Sequence, residues 1–432
     1  MFARFPLILA LLIAFVAAYV APSGPTAQAD EPGDYEESAE GAAPAAEAGE
    51  QATEAGETEK AQPAADQETE PPQPPAPKPQ YEHEQTRIDA ASADEPIRAE
   101  FSLPAAVAYV EQGAAAWGKA NQCISCHTNG SYLRMRPALS AALGPASSEI
   151  RDLFLFEKSK LSKLKEKQLK KNIRPTITAY LAAGLAEWDA HMTGELSEET
   201  EDAFRLMFAA QAGDGSWSNE DCWPPIESSA YHAATVAAMA TATAPGWLEK
   251  LASDKEDNAD ILAGIEKMKT FLRDTKPPHD YGRLLLLWTS TRVSGLIDEA
   301  QQNEIRDMIL SHQNEDGGWS LRSFATPETW GSGNRAERLE SEDEATRTMS
   351  DGHQTGLCVI VLRAAGVPAN DARIQKAIGW IKSNQRESGR WWTRSLNTDR
   401  YHYITYTGSM YPLAALGACG ELAPQGVAAK AE

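Results

Sequence analysis

The sequence predicts an all-α protein built from stacked helical hairpins, and three observations lead there. Gln-x-x-x-Gly-x-Trp occurs three times: Gln211, Gly215, Trp217; Gln313, Gly317, Trp319; and Gln385, Gly389, Trp391. Each copy closes a helix-like stretch ("MFAAQAGDGSW", "MILSHQNEDGGW", "IKSNQRESGRW"), and a second apolar stretch follows ("HAATVAAMATA", "TGLCVIVLRAAG", "SMYPLAALGACG"). The first two copies stand 102 residues apart, Gln211 to Gln313, which leaves room for a hairpin without the motif. Such self-similar pairs stack, because one pair alone leaves an apolar face exposed. In each copy the Gly is placed to end the first helix and the Trp to cover the loop. The Gln is placed to hydrogen-bond exposed amides at the start of a neighbouring helix.

The motif resembles the QW repeat of the squalene/hopene cyclase and protein prenyltransferase β-subunit superfamily, over roughly residues 101–420. That resemblance implies an (α/α) toroid, in which about six hairpins close a ring. Six can be found in order. Hairpin one is "AAVAYVEQGAAAWGKA" with "SYLRMRPALSAAL", and hairpin two is "LFEKSKLSKLKEKQLKKN" with "PTITAYLAAGLAEW". The first motif makes hairpin three. Hairpin four is "DILAGIEKMKTFLRD" with "DYGRLLLLWTSTRVSGLI", and the other two motifs make five and six.

The segments around the ring are read differently. Arg4 precedes an apolar run from Leu7 to Ala21, and Ala27-Gln28-Ala29 stands before Asp30 in the form of a signal-peptidase site. Residues 1–29 are therefore expected to be a cleaved signal peptide, the run being short for a membrane span. No later segment is continuously apolar enough to cross a bilayer, so the mature protein is expected to be soluble and periplasmic or extracellular. Residues 30–100 hold 20 acidic and 4 basic residues, −16 of the formal −22, with Pro71-Pro72-Gln73-Pro74-Pro75 near the centre. That composition buries too little to offset chain entropy and predicts a disordered acidic linker. Residues 421–432 read as a short C-terminal tail.

Hairpin one carries Cys123-Ile124-Ser125-Cys126-His127 where a QW motif would otherwise sit. CxxCH reads as a haem c attachment site, with two thiols on one face of a helical turn for thioether bonds and His127 as proximal iron ligand. A redox or structural cysteine pair and half of a zinc site are the alternatives. Expected export agrees with haem, which is attached covalently outside the cytoplasm. Cys358 and Cys419 lie in apolar helical stretches and read as core thiols, whereas Cys222 sits in a loop with its partner open.

Histidines recur where second helices begin: His127, His232, His279, His353 and His402. In a toroid those starts would line one end of the ring, where the superfamily keeps its active site. If the hairpins stack in order, ring closure makes His402 of hairpin six the neighbour of His127. Candidates for a second haem ligand are His232, His279, His353, His402, Met135 and Met410; a His partner gives a low potential and a Met partner a higher one. Protein prenyltransferase β-subunits bind zinc through Asp-x-Cys and a distant His. Ser350-Asp351-Gly352-His353 resembles the first element, with His353 in place of Cys, and Tyr401-His402 the second. The resemblance thus implies Asp351, His353 and His402 as a zinc set.

Terpene cyclisation is the activity such a resemblance suggests, and the residues argue against it. Squalene/hopene-type cyclases protonate substrate with DxDD, which this chain lacks; Glu340-Ser341-Glu342-Asp343 comes nearest, in a charged loop expected to be solvated. Seven lysines between Lys158 and Lys171 read as a solvated helix face, and without aromatic interleaving they are no nucleic-acid signal. The long loop from Arg322 to Arg347 is placed to lie over the toroid's mouth as a lid. The expected function is redox or electron transfer through haem, with a redox partner. The alternatives are a ring that binds a partner or a small apolar ligand in its mouth, and a metal-dependent terpenoid cyclase- or prenyltransferase-like enzyme that lacks DxDD.

Overall fold

The structure, a computed structural model, describes residues 78–217, 223–226 and 229–422. The expected signal peptide, most of the acidic linker, Cys222 and most of the C-terminal tail lie outside the described residues. The fold is all-α. Among the described residues, twelve principal helices form six hairpins: α1 (Leu103–Asn121) with α2 (Asn129–Met135), α3 (Ser148–Leu161) with α4 (Arg174–Trp188), and α5 (Glu198–Ala209) with α6 (Ala230–Thr243). The ring continues with α7 (Ala259–Asp274) and α8 (Asp280–Ser290), α9 (Glu299–Ser311) and α10 (Gly352–Ala364), and α11 (Ala372–Ser383) and α12 (Ile404–Ala418).

Two kinds of helix alternate, and the sequence says why. The first helix of a pair has one apolar stripe. In α7 the buried residues are Gly264, Ile265, Met268 and Leu272, a three-to-four spacing that leaves the charged face to water. The second helix is apolar all round: α6 is buried from Tyr231 to Thr241, and α12 from Ile404 to Leu416. A helix with no polar face must be enclosed. The second helices therefore form an inner ring, in which α2, α4, α6, α8, α10 and α12 each pack on the next, and α12 packs back on α2.

The QW motifs are the joints of this ring. The indole N–H of Trp217, Trp319 and Trp391 donates to the carbonyls of Met207, Ile309 and Ile381, 2.7–2.8 Å away in the last turn of the preceding outer helix. The Gln side chains reach the next outer helix. Gln211 donates to the Gly264 carbonyl, Gln313 to the Arg373 carbonyl, and Gln385 to the Ser102 carbonyl at 2.9–3.0 Å. Only Gln385 also accepts an amide, from Ser102 at 2.7 Å; carbonyls, more than the expected amides, are what the glutamines satisfy. Gly215, Gly317 and Gly389 sit at φ +96°, +94° and +92°. A Cβ on them would lie 2.2–2.7 Å from a backbone oxygen of the next outer helix, so only glycine permits the approach. The third motif lands on the start of α1, which closes the circle.

The folded part begins before residue 101, earlier than composition suggests. A short hairpin, β1 (Tyr81–His83) with β2 (Thr86–Ile88), lays Tyr81 and Ile88 against α1. Glu95 and Arg390 form a 2.6 Å ion pair, and Arg98 N donates to the Gln385 carbonyl at 2.7 Å. Acidic residues averaged over seventy positions hid a last twenty in which Tyr81, Ile88 and Ala91 are buried. At the other end Leu422 is buried, so the ring extends just past residue 420. Among the described residues no helix is long and apolar enough to cross a membrane.

Candidate functional site

The CxxCH turn links α1 to α2, as the repeat alignment requires. It is an irregular loop and not a helical turn: Asn129, in the first turn of α2, accepts from Ser125 N and donates to the Cys123 carbonyl, at 2.7 and 2.8 Å. Those two bonds from one side chain fold the loop back on the helix start, leaving Cys126 buried and Cys123 half-buried. Burial first, and then the charge of Glu157, raise the Cys123 thiol pKa above its ordinary value. An activated redox thiol needs the opposite shift, so the redox-pair alternative loses support. His127 has one ring face on Tyr403, stacked at 5.2 Å, and meets Trp117 edge-on at 4.9 Å. Its Nδ1 is hydrogen-bonded to Thr128 Oγ1 at 2.8 Å, and burial lowers its pKa to about 4. The imidazole is therefore neutral, with Nε2 the nitrogen left for a metal. The donor set fits haem c.

Ring closure does bring hairpin six against CxxCH, but through Tyr403. His402 turns the other way: its Nδ1 accepts from Ser395 N at 3.1 Å and its ring meets Trp392. None of the six candidate second ligands is in ring or hydrogen-bond contact with His127 among the described residues. Met135 instead lines a cleft at the far end of α2, and Met410 is buried in α12.

Three of the other histidines gather around Tyr281, which sequence reasoning overlooked. The rings of His232, His279 and His353 lie 6.3, 6.2 and 6.0 Å from it. His353 is held on both nitrogens, by Tyr281 Oη at 3.1 Å and Thr407 Oγ1 at 2.7 Å. His232 Nδ1 donates to the Pro225 carbonyl at 3.0 Å while Nε2 accepts from Tyr180 Oη at 3.3 Å. Burial lowers the pKa of His232 and His353 to about 3 and that of His279 to about 4, so the cluster is neutral at pH 7. The only advance signal was that tyrosines share the inner helices with the histidines.

The segment expected as a lid does cover this end. Trp330 is buried against His279 and Tyr281, at 4.9 and 5.4 Å. Glu342, expected to be solvated, is buried and paired with Arg322 at 2.5 and 2.7 Å. It clamps the lid to the strand-like run after the third QW motif, where Arg322 also donates to the Arg394 carbonyl. Asp351 is the N-cap of α10 and accepts from Gln354 N and Leu321 N at 2.9 and 2.6 Å. Burial raises its pKa to about 6 against those hydrogen bonds. Asp351 and His353 thus have their polar atoms engaged in structural bonds, and no group of three or more His, Cys, Asp or Glu close enough to hold a metal occurs among the described residues. The zinc set is not assembled.

At the opposite end, the last turns of α2, α8, α10 and α12 line a cleft of about 690 Å³. Met135, Leu139, Trp288, Ile360, Ala414 and Ala418 are among its walls, and Arg292 and Arg363 are the charged residues among its described lining. Arg292 is paired with buried Glu187 at 2.6 Å, and Arg363 donates to the Ala418 and Val367 carbonyls. Both cations thereby answer helix ends and a carboxylate, and the walls between them are apolar. The lysine face on α3 and after it behaves as expected, with Lys158 on Asp202 and Lys170 on Glu166 at 2.8 and 2.6 Å.

Comparison with known proteins covers part of this ring. Residues 279–421, the second helix of hairpin four and hairpins five and six, match the family model of the squalene-hopene cyclase C-terminal domain. No curated protein matches the chain in sequence. Among solved structures, a type II terpene cyclase from Scytonema in complex with geranylgeranyl dihydroxybenzoate is similar at 12% identity and a TM-score of 0.39. The alignment covers 74% of this chain and 96% of that one. Likeness at that level bears on no individual residue here.

Proposed function

We propose that this chain is an exported ligand-binding ring that holds a small apolar molecule in the cleft at the C-terminal ends of its inner helices. The cleft carries the proposal: about 690 Å³ of space walled mainly by alanine, leucine, isoleucine, methionine and tryptophan side chains. Its volume lies within the range of roughly 300–1,000 Å³ usual for small-molecule sites. The partial match to a squalene-hopene cyclase domain, a family named for an apolar substrate, agrees with that ligand class. Cyclisation is not part of the proposal. The buried carboxylates in this half of the ring are engaged, Asp351 in capping α10 and Glu342 in its pair with Arg322, and a cation-forming acid must be free to face substrate. The test is titration of the purified protein with oleyl alcohol, followed by tryptophan fluorescence and calorimetry. Saturable binding near one equivalent is expected, and absence of saturation removes the reading.

A second reading is favoured by one specific observation: His127 Nδ1 is held by Thr128 while Nε2 is left for a metal, in the same turn as Cys123 and Cys126. In that reading Cys123 and Cys126 would hold haem c covalently and His127 would ligate its iron. Haem, when bound, supplies one-electron chemistry at iron. Tyr403 and Trp117 fix the imidazole plane, and the Asn129 bonds fix the loop. Expression with a cytochrome c maturation system, followed by a denaturing gel stained for haem, tests it. A covalent haem band that Cys123→Ala weakens is expected; no band ends the reading.

A further inference from the structure

Behind the wall of the cleft lies a buried cation that the fold does not neutralise. Arg134, in the last turn of α2, is 5% exposed. Its guanidinium lies over the ring of Trp288 at 4.9 Å and that of Tyr180 at 5.9 Å. Its one hydrogen bond among the described residues is to Met239 Sδ, at 3.5 Å, and a thioether is a weak acceptor. It takes part in no ion pair among the described residues, unlike Arg136 two positions on, which is equally buried and bound to Glu111 at 2.8 Å. The imidazole that feels its charge is neutral, because burial and then the charge of Arg134 lower His232 to about 3. The guanidinium thus has two aromatic rings and one sulfur as its contacts among the described residues.

Such a group is expensive. Aromatic faces return part of the lost hydration, but a buried charge ordinarily requires an opposite charge or several hydrogen bonds. Its position says where that charge would come from. Trp288 belongs to both features: its ring lies under the guanidinium, and it is among the walls of the cleft. Met135, the next residue in the chain, lines the cleft too. Arg134 is not itself among the walls of the cleft; it adjoins two residues that are, Met135 in the chain and Trp288 through its ring. The guanidinium fork matches a carboxylate in shape and charge. A singly charged carboxylate also loses less hydration on entering than a phosphate dianion does.

We infer that Arg134 is the head-group site of the cleft and that the ligand is a long-chain fatty acid, carboxylate inward on the guanidinium and alkyl chain along the apolar walls. This rests on the ligand-binding reading above and narrows it to one ligand class. Oleate and oleyl alcohol share a chain and differ at the head, so their comparison isolates Arg134. Calorimetric titration of the full chain below the micellar limit should find oleate at least tenfold tighter. Arg134→Met, which keeps an unbranched apolar side chain, should erase that difference. Equal affinity of the wild type for both ligands overturns the head-group assignment while leaving the cleft as a binding site. A preference that survives in Arg134→Met also overturns it, because Arg292 or Arg363 at the rim would then be its source. Binding of neither ligand overturns the assignment and the ligand-binding reading together. If Arg134→Met does not fold, the wild-type comparison still decides between the first outcomes, and Arg134→Lys, retaining charge without the fork, should keep part of the preference.

Discussion

The two ends of the ring are made from the same helices and differ in almost everything else. At the end where inner helices start, side chains converge: three neutral histidines around Tyr281, the capping carboxylate of Asp351, the buried Arg322–Glu342 pair and Trp330 beneath the lid. All three QW joints also close there. At the end where inner helices stop, small residues such as Ala364, Ala414 and Ala418 leave a cleft. The comparison teaches that conspicuous polar residues and room for a ligand are separate properties. The polar end spends its groups on holding the ring shut; the apolar end is where something fits. A change at the first should therefore cost stability, and a change at the second should cost binding.

The largest effect is expected at the lid clamp. Arg322→Leu leaves Glu342 buried, with Arg394 at 3.7 Å as its remaining cation. Breaking a buried pair from one side costs about 3–5 kcal/mol, to be read from the urea midpoint at constant slope. Lys170→Ala, which breaks a pair at the surface, should leave that midpoint unchanged. Equal effects of the two would mean that the lid is not clamped.

Next comes a pair of glycines with nearly the same backbone. Gly389 in the third QW motif has φ +92°, and an added Cβ would stand 2.2 Å from the Ala105 carbonyl oxygen. Gly366, after α10 at the opposite end, has φ +89° and nothing within 4 Å of that position. Gly366→Ala should cost about 1–2 kcal/mol, the left-handed penalty alone. Gly389→Ala adds overpacking of about 1–3 kcal/mol and should total about 3 kcal/mol or more. Similar losses at both sites would show that ring closure does not depend on the contact.

Acid should act on the polar end first. His232 and His353 have folded pKa values lowered by burial to about 3, against about 6.5 in the unfolded chain. The unfolded chain therefore takes up protons first. The stability these residues contribute is present above about pH 6.5 and is lost as pH falls toward 3, at pH 5 about 2 kcal/mol for each. Asp351 works the other way: its pKa is raised to about 6, so protonation as pH falls through that value favours the fold. Melting temperatures at pH 7.5 and pH 5 check the balance. His353→Gln, a neutral side chain with a donor and an acceptor, should remove a substantial part of the acid sensitivity.

The architecture was legible because it is written in repeats. Three QW motifs and the alternation of striped with wholly apolar helices fix which residues lie inside, and each joint repeats the same bonds. The site was less legible because its chemistry depends on which helices face across the ring. His127 meets Tyr403 and not His402, a one-residue difference that sequence spacing cannot resolve, since neighbouring residues at a helix start point in different directions. Glu342 looked solvated because its neighbours are charged, yet Arg322, twenty positions away, draws it inside. Arg134 drew no notice at all, because a single arginine in an apolar stretch has no pattern until Trp288 and Tyr180 are placed around it.

The smallest effect on stability, and the sharpest separation of the two ends, is expected at Ala418. This residue lies in the last turn of α12, exposed, on the wall of the cleft. An indole at that position has solvent to extend into, so Ala418→Trp should change folding free energy by no more than about 0.5 kcal/mol, as for surface substitutions generally. The same side chain would lie across the mouth and occupy part of the 690 Å³. Oleyl alcohol affinity should then fall at least tenfold, which corresponds to about 1.4 kcal/mol. Arg322→Leu predicts the reverse pattern, a large loss of stability with affinity retained at temperatures where the protein remains folded. If Ala418→Trp leaves affinity intact, the ligand does not enter by this mouth. If Arg322→Leu abolishes affinity in folded protein, the polar end is part of the binding site and the division between the two ends fails.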